Sequence, residues 1–123
     1  RQCKPQGNCL LITDAIEAAG MPDGSYRLGS NKVSVKGNEA RLPDGTLAGS
    51  VLTMDRAVRN MISAGGADLA QALGMATRNP ADALGIPDMG RIQPGARADL
   101  VCLDQDLTVC STMVDGRILF TRS

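Results

Sequence analysis

The sequence contains no histidine, and its 123 residues include only two aromatics, Tyr26 and Phe120. Without histidine, the usual Cys/His zinc sets cannot be completed within this chain. With two aromatics, stacking on bases or sugars cannot be its main theme. An excess of charge of either sign is also missing, because thirteen basic residues balance thirteen acidic ones. That balance points away from nucleic acid and from an anionic membrane surface as partners. No apolar run approaches the length of a membrane span. The first residues, Arg1 to Gly7, are polar and carry no signal-peptide pattern. The chain opens on Arg1 rather than methionine, which fits a trimmed or partial chain.

Four cysteines are present, Cys3, Cys9, Cys102 and Cys110, and none forms a C-x2-C pair. Cys9 and Cys102 lie inside apolar, strand-like runs. They read as buried or half-buried free thiols in a reducing cytosol. A Cys3–Cys9 or Cys102–Cys110 disulfide stays open at this level. Apolar residues make up 43% of the chain, enough for the core of one modest domain.

The order of elements follows from periodicity and turn chemistry. Cys9 to Thr13 is a continuous apolar run ending at Asp14, the pattern of a strand buried on both faces of a parallel sheet. Residues 15–24 read as a loop. Tyr26 to Leu28, Val33 to Val35 and Ala40 to Leu42 read as three short antiparallel strands separated by glycine turns. Thr46 to Leu52 reads as a loop before a helix with Thr53 as N-cap. Met54, Ala57, Val58, Met61 and Ile62 form its apolar face. Gly65 and Gly66 stop it. Asp68 caps a second helix, and a short third helix starts with Pro80 at its first position and ends before Gly85. Ala98 to Leu103, Thr108 to Val114 and Ile118 to Thr121 read as strands, the last two joined by a hairpin at Asp115-Gly116.

Three segments are candidates for chemistry. Asp14 ends the first apolar run and opens a loop, the place where a parallel barrel puts its catalytic groups. The alternative is a loop carboxylate that caps its own turn. Asp44 to Ser50 carries two glycines among small residues, so its backbone can approach a ligand just ahead of a helix. The alternative is an ordinary turn. Gly90 to Asp104 reads as structural, with Asp99 as a turn former. Arg27, Arg41, Arg56, Arg59, Arg78, Arg91 and Arg97 are scattered and read as mostly solvated.

Taken in order, LLITDAIEAAGMPDGSYRLG, DGTLAGSVLTMDRAVRN, ATRNPADALG and GRIQPGARADLVCLD resemble the C-terminal portion of the N-acetylglucosamine-6-phosphate deacetylases, of the amidohydrolase superfamily. The glycine-rich ending is shared widely across amidohydrolases, whereas the LAGS-x-L-T-M-D block is more specific. The resemblance implies an α/β chain: the C-terminal part of a metal-dependent (β/α)8 TIM barrel over 1–91, and strands of a small β-sandwich domain over 92–123. Cys9 to Thr13 would be the eighth barrel strand. The implied reaction hydrolyses N-acetyl-D-glucosamine 6-phosphate to D-glucosamine 6-phosphate and acetate. Asp14 matches the aspartate that takes a proton from the attacking water and passes it to the departing amine. Leu47, Ala48 and Gly49 match a substrate-contacting stretch. A divalent metal such as zinc is implied for the full-length parent. Its glutamate and histidine ligands lie outside this sequence, so none is expected in this chain alone.

This departure implies that the isolated chain is inactive, whatever its parent does. One strand cannot close a barrel, so the implied partners are the remainder of the parent chain and, as in the family, a second copy in a homodimer. A cytoplasmic location is implied, with no nucleic-acid or membrane partner. Two other readings compete: a non-catalytic α/β assembly module, and an amidohydrolase acting on a different amide.

Overall fold

The structure, a computed structural model, describes residues 9–123. Cys3, and with it the possible Cys3–Cys9 bridge, lies outside them, as does the polar start of the chain. The described chain is mixed α/β and falls into two units. One is Ile12–Ala57; the other is Val58–Ser123 together with residues 9–11.

The first unit is built on a four-stranded antiparallel sheet. Its strands β1 (Gly24–Leu28), β2 (Asn31–Lys36), β3 (Glu39–Arg41) and β4 (Leu47–Ser50) follow one another in space as in sequence. Two-residue turns link Leu28 to Asn31 and Lys36 to Glu39. The three strands read from the sequence are present. The fourth, β4, replaces the loop expected over Thr46 to Leu52. Its Leu-Ala-Gly-Ser sequence has low strand propensity, and its pairing with β3 makes it a strand. Alternation along β2 buries Val33 and Val35 and exposes Lys32, Ser34 and Lys36. The buried side packs with Ala18, Ala40 and Val51 into a small core, flanked by Ile16, Tyr26, Leu28 and Ala48. Burying each valine contributes about 1.5–3 kcal/mol.

The segment Cys9 to Thr13 belongs to no ladder. Its burial alternates, with Leu10 45% and Ile12 69% exposed, so the expectation of a strand buried on both faces is not met. A strand exists through hydrogen bonds to neighbours. Among the described residues, no neighbouring strand runs along this segment.

In the second unit, helices α2 (Leu69–Ala76) and α3 (Arg78–Ala83) precede a second sheet. Helix α1 (Met54–Ser63) begins where the sequence placed it, the Thr53 carbonyl accepting from the Ala57 N–H at 2.9 Å. Asp68 caps α2 through a reciprocal capping box. Its carboxylate accepts from the Gln71 N–H at 2.8 Å, and the Gln71 amide oxygen accepts from the Asp68 N–H. Helix α3 starts at Arg78, so Pro80 is its third residue rather than its first. Proline fits there because the first-turn N–H groups have no intrahelical partner in any case. Val58, Ala67 and Ala72 form the core of this unit, with Leu11, Met61, Ile62 and Leu107 against it.

The second sheet is a three-stranded antiparallel meander of β5 (Leu100–Leu103), β6 (Val109–Val114) and β7 (Arg117–Thr121). The expected hairpin at Asp115-Gly116 is present, both residues having positive φ, the signature of a tight turn matched to strand twist. Asp99 supports it structurally, as expected: its carboxylate accepts from the Asp115 N–H at 2.8 Å and pairs with Arg97 at 3.0 Å. Cys102 and Cys110 are free thiols, so no Cys102–Cys110 bridge forms. Cys102 is exposed rather than buried, as are its neighbours Leu100 and Val101 on β5.

Candidate active site

Asp14 adopts φ +47, a left-handed conformation rare outside glycine. Aspartate is among the few side chains that tolerate it, at a cost of about 1–2 kcal/mol. Something must therefore hold it, and the next residues do. Ala15 forms a parallel bridge with Ser50, the last residue of β4. The Ile16 N–H donates to the Ser50 carbonyl at 2.9 Å. The turn carrying Asp14 thus sits at the open edge of β4, as an irregular fifth position of the sheet. Asp14 itself is exposed.

The same strand carries Leu47, Ala48 and Gly49, so the two segments singled out in the sequence lie side by side. The three residues differ in what they offer. Leu47 is 61% exposed, and its side chain is available to a ligand. Ala48 packs against the sheet's core. Gly49 answers an internal need: a Cβ there would stand 2.5 Å from Cγ2 of Ile16. The small residue thus makes room for the branched side chain that follows Asp14. Sequence reasoning missed this partnership, and with it the roles of Ile16 and the Ser50 carbonyl.

The turn leading into β4 is fixed by its own polar groups. The Asp44 carboxylate accepts from the Thr46 N–H at 2.9 Å, and this bond holds its pKa below the ordinary carboxylate value. Arg41 Nη1 donates to the Gly45 carbonyl at 2.7 Å, and Arg41 Nε contacts Glu39 at 3.0 Å. Of the arginines expected to be solvated, Arg41, Arg59, Arg91 and Arg97 are therefore engaged. Arg91 pairs with Asp82, Arg97 with Asp99, and Arg59 donates to the Leu107 carbonyl at 2.7 Å. They do so because long guanidinium stems reach turn carbonyls and carboxylates that sequence spacing does not reveal.

The donor set does not fit a metal held by this chain alone. Among the described residues, no three His, Cys, Asp or Glu side chains come together as a ligand group.

The amidohydrolase family model matches residues 11–119. The chain is 43% identical over 117 residues to an N-acetylgalactosamine-6-phosphate deacetylase of Escherichia coli O157:H7, covering 94% of this chain and 31% of that protein. It is 43% identical over 109 residues to an N-acetylglucosamine-6-phosphate deacetylase of Lysinibacillus sphaericus, covering 89% of this chain and 28% of the relative. The crystal structure of N-acetylglucosamine-6-phosphate deacetylase from Thermotoga maritima superposes with a TM-score of 0.85 at 41% identity, over 98% of this chain and 33% of that one. The chain therefore spans about a third of the length of each of these proteins. It belongs to the amidohydrolase family, and its likeness within that family is to the amino-sugar 6-phosphate deacetylases.

Proposed function

We propose that this chain is the C-terminal part of an N-acetylglucosamine-6-phosphate deacetylase, which hydrolyses N-acetyl-D-glucosamine 6-phosphate to D-glucosamine 6-phosphate and acetate. The observation that carries the reading is Asp14, held in a left-handed turn against the end of β4 by the Ile16–Ser50 bond. An exposed carboxylate in a tolerated but costly conformation is what a proton-transfer group needs: access to the reacting atoms and a fixed direction. Asp14 would take a proton from the attacking water and deliver it to the departing nitrogen. Leu47, Ala48 and Gly49 would form part of the wall against the sugar.

The fold we assign to the parent is a (β/α)8 barrel with a small β-domain, residues 1–91 belonging to the former and 92–123 to the latter. A divalent ion, zinc or similar, would polarise the acetamide in the parent, held by residues from outside this chain. The isolated chain is accordingly assigned no turnover. The remainder of the parent and a second copy in a homodimer are its assigned partners. Support comes from apolar side chains left in solvent: Leu10 and Ile12 in one unit boundary segment, and Ile118 and Leu119 at 64% and 68% exposure on β7. A cytoplasmic location is supported by the free thiols. No helix among the described residues is long and apolar enough to cross a membrane.

A second substrate is favoured by one observation. The Escherichia coli O157:H7 relative is named for N-acetylgalactosamine 6-phosphate, at the same 43% identity as the glucosamine enzyme of Lysinibacillus sphaericus. Acetate release by the full-length protein from the two epimeric substrates decides between them. A higher kcat/KM for the gluco epimer supports the first reading, and a higher value for the galacto epimer replaces it with the second.

A further inference from the structure

The outer face of the four-stranded sheet carries cations that the reaction above does not use. Tyr26, Leu28, Val33, Val35 and Ala40 face the core. The residues between them face solvent. On β1 and β2 these are Ser25, Arg27, Lys32 and Ser34, all exposed. In register, Arg27 lies directly opposite Lys32, Ser25 opposite Ser34, and Ser34 in turn opposite Arg41. Two cations and two hydroxyls thus share one small patch.

Like charges directly opposite across an antiparallel pair repel, with Cβ atoms about 5 Å apart. Glu39, opposite Lys36, is held by Arg41 at 3.0 Å, and the Asp23 carboxylate accepts from the Gly37 N–H at 2.9 Å. Among the described residues, no carboxylate forms an ion pair with Arg27 or Lys32. The pair is unfavourable as it stands and becomes favourable once an anion bridges it.

We propose that this face binds a phosphate monoester, its phosphate group held between Arg27 and Lys32 with the Ser25 and Ser34 hydroxyls beside it. A terminal phosphate offers three oxygens, which can meet two cations and a hydroxyl at once, whereas a carboxylate offers two. The planar fork of Arg27 suits such an oxygen pair, and Lys32 supplies a mobile point charge. The same face continues across Arg41 to Leu47, its partner on β4. The choice of a phosphate monoester over other anions rests on the deacetylase reading, whose substrate and product both carry one. The charge geometry itself does not depend on that reading.

The test uses the isotopically labelled full-length protein at low ionic strength, titrated separately with inorganic phosphate, D-glucosamine 6-phosphate and D-glucosamine, and followed by amide chemical shifts. Both phosphates are expected to move the Arg27, Lys32 and Ser34 amides saturably, and D-glucosamine to leave them in place. R27Q/K32Q should weaken the binding at least about tenfold. Its melting temperature should match or exceed that of the unsubstituted chain, since the repulsion is gone. Saturation at lower concentration by the sugar phosphate than by inorganic phosphate identifies the sugar ester as the better occupant; equal saturation identifies the phosphate group as the whole determinant. Either result supports the site. No saturable shift, an equal response to D-glucosamine, or undiminished binding in the folded R27Q/K32Q variant overturns it. Turnover is not read in this experiment, so a different amide substrate leaves the outcome unchanged, and loss of this site leaves the deacetylase reading standing.

Discussion

The backbone N–H of Ile16 donates to the carbonyl of Ser50 at 2.9 Å, and this bond ties the turn carrying Asp14 to the end of β4. Two segments thirty-odd residues apart in sequence thereby become one structure. The bond depends on a close approach, since Cγ2 of Ile16 occupies the place where a side chain on Gly49 would begin.

Gly49→Ala should therefore destabilise the chain. The added methyl would meet Ile16 at 2.5 Å, and a β-branched side chain cannot swing clear. The expected loss is about 1–3 kcal/mol, read as a lower urea midpoint with an unchanged slope. Restoring the midpoint with Ile16→Ala in the same chain would localise the clash. A Gly49→Ala variant as stable as the original chain would show that β4 and the Asp14 turn are not in contact as described.

Asp68→Ala removes the carboxylate that accepts from the Gln71 N–H, one of the two bonds of the α2 capping box, and leaves the Asp68 N–H in place. The expected cost is about 1 kcal/mol. Asp68→Asn, which keeps an acceptor for the Gln71 N–H, should recover most of it. Thermal melting followed by circular dichroism checks both variants.

Stability should also fall in acid through two carboxylates. Arg122 lowers the pKa of Asp104 chiefly through a 2.7 Å hydrogen bond, and the Thr46 N–H lowers that of Asp44. A depressed folded-state pKa contributes stability that is fully present above the unfolded value, about 3.9. That contribution is lost as pH falls through the folded value. Melting temperatures should hold steady from neutral pH to about pH 5 and then drop below about pH 4. Asp104→Asn should flatten part of that drop.

Much of this was legible in the sequence, and the misses have physical causes. The Asp68 cap, the Asp115-Gly116 hairpin and strands β1 to β3 are local: each is specified by residues within a few positions. Strand β4 was read as a loop because Leu-Ala-Gly-Ser lacks strand propensity, and only its pairing with β3 makes it one. Cys9 to Thr13 has the composition of a buried strand, but among the described residues no neighbouring strand pairs with it, and Leu10 and Ile12 stay exposed. Asp14 and Leu47 to Gly49 could be named from sequence. That they adjoin could not be, because the contact is made by Ile16 and a backbone carbonyl, which carry no motif.

The central claim is that Asp14 moves the proton in amide hydrolysis. Its most direct measurement is acetate release from N-acetyl-D-glucosamine 6-phosphate by the full-length protein, compared with its Asp14→Asn variant. The substitution keeps the size and the left-handed turn, so the fold should persist. The account predicts a fall in kcat of about 100- to 10,000-fold, with unchanged melting temperature. A folded Asp14→Asn protein that retains the original kcat would contradict it.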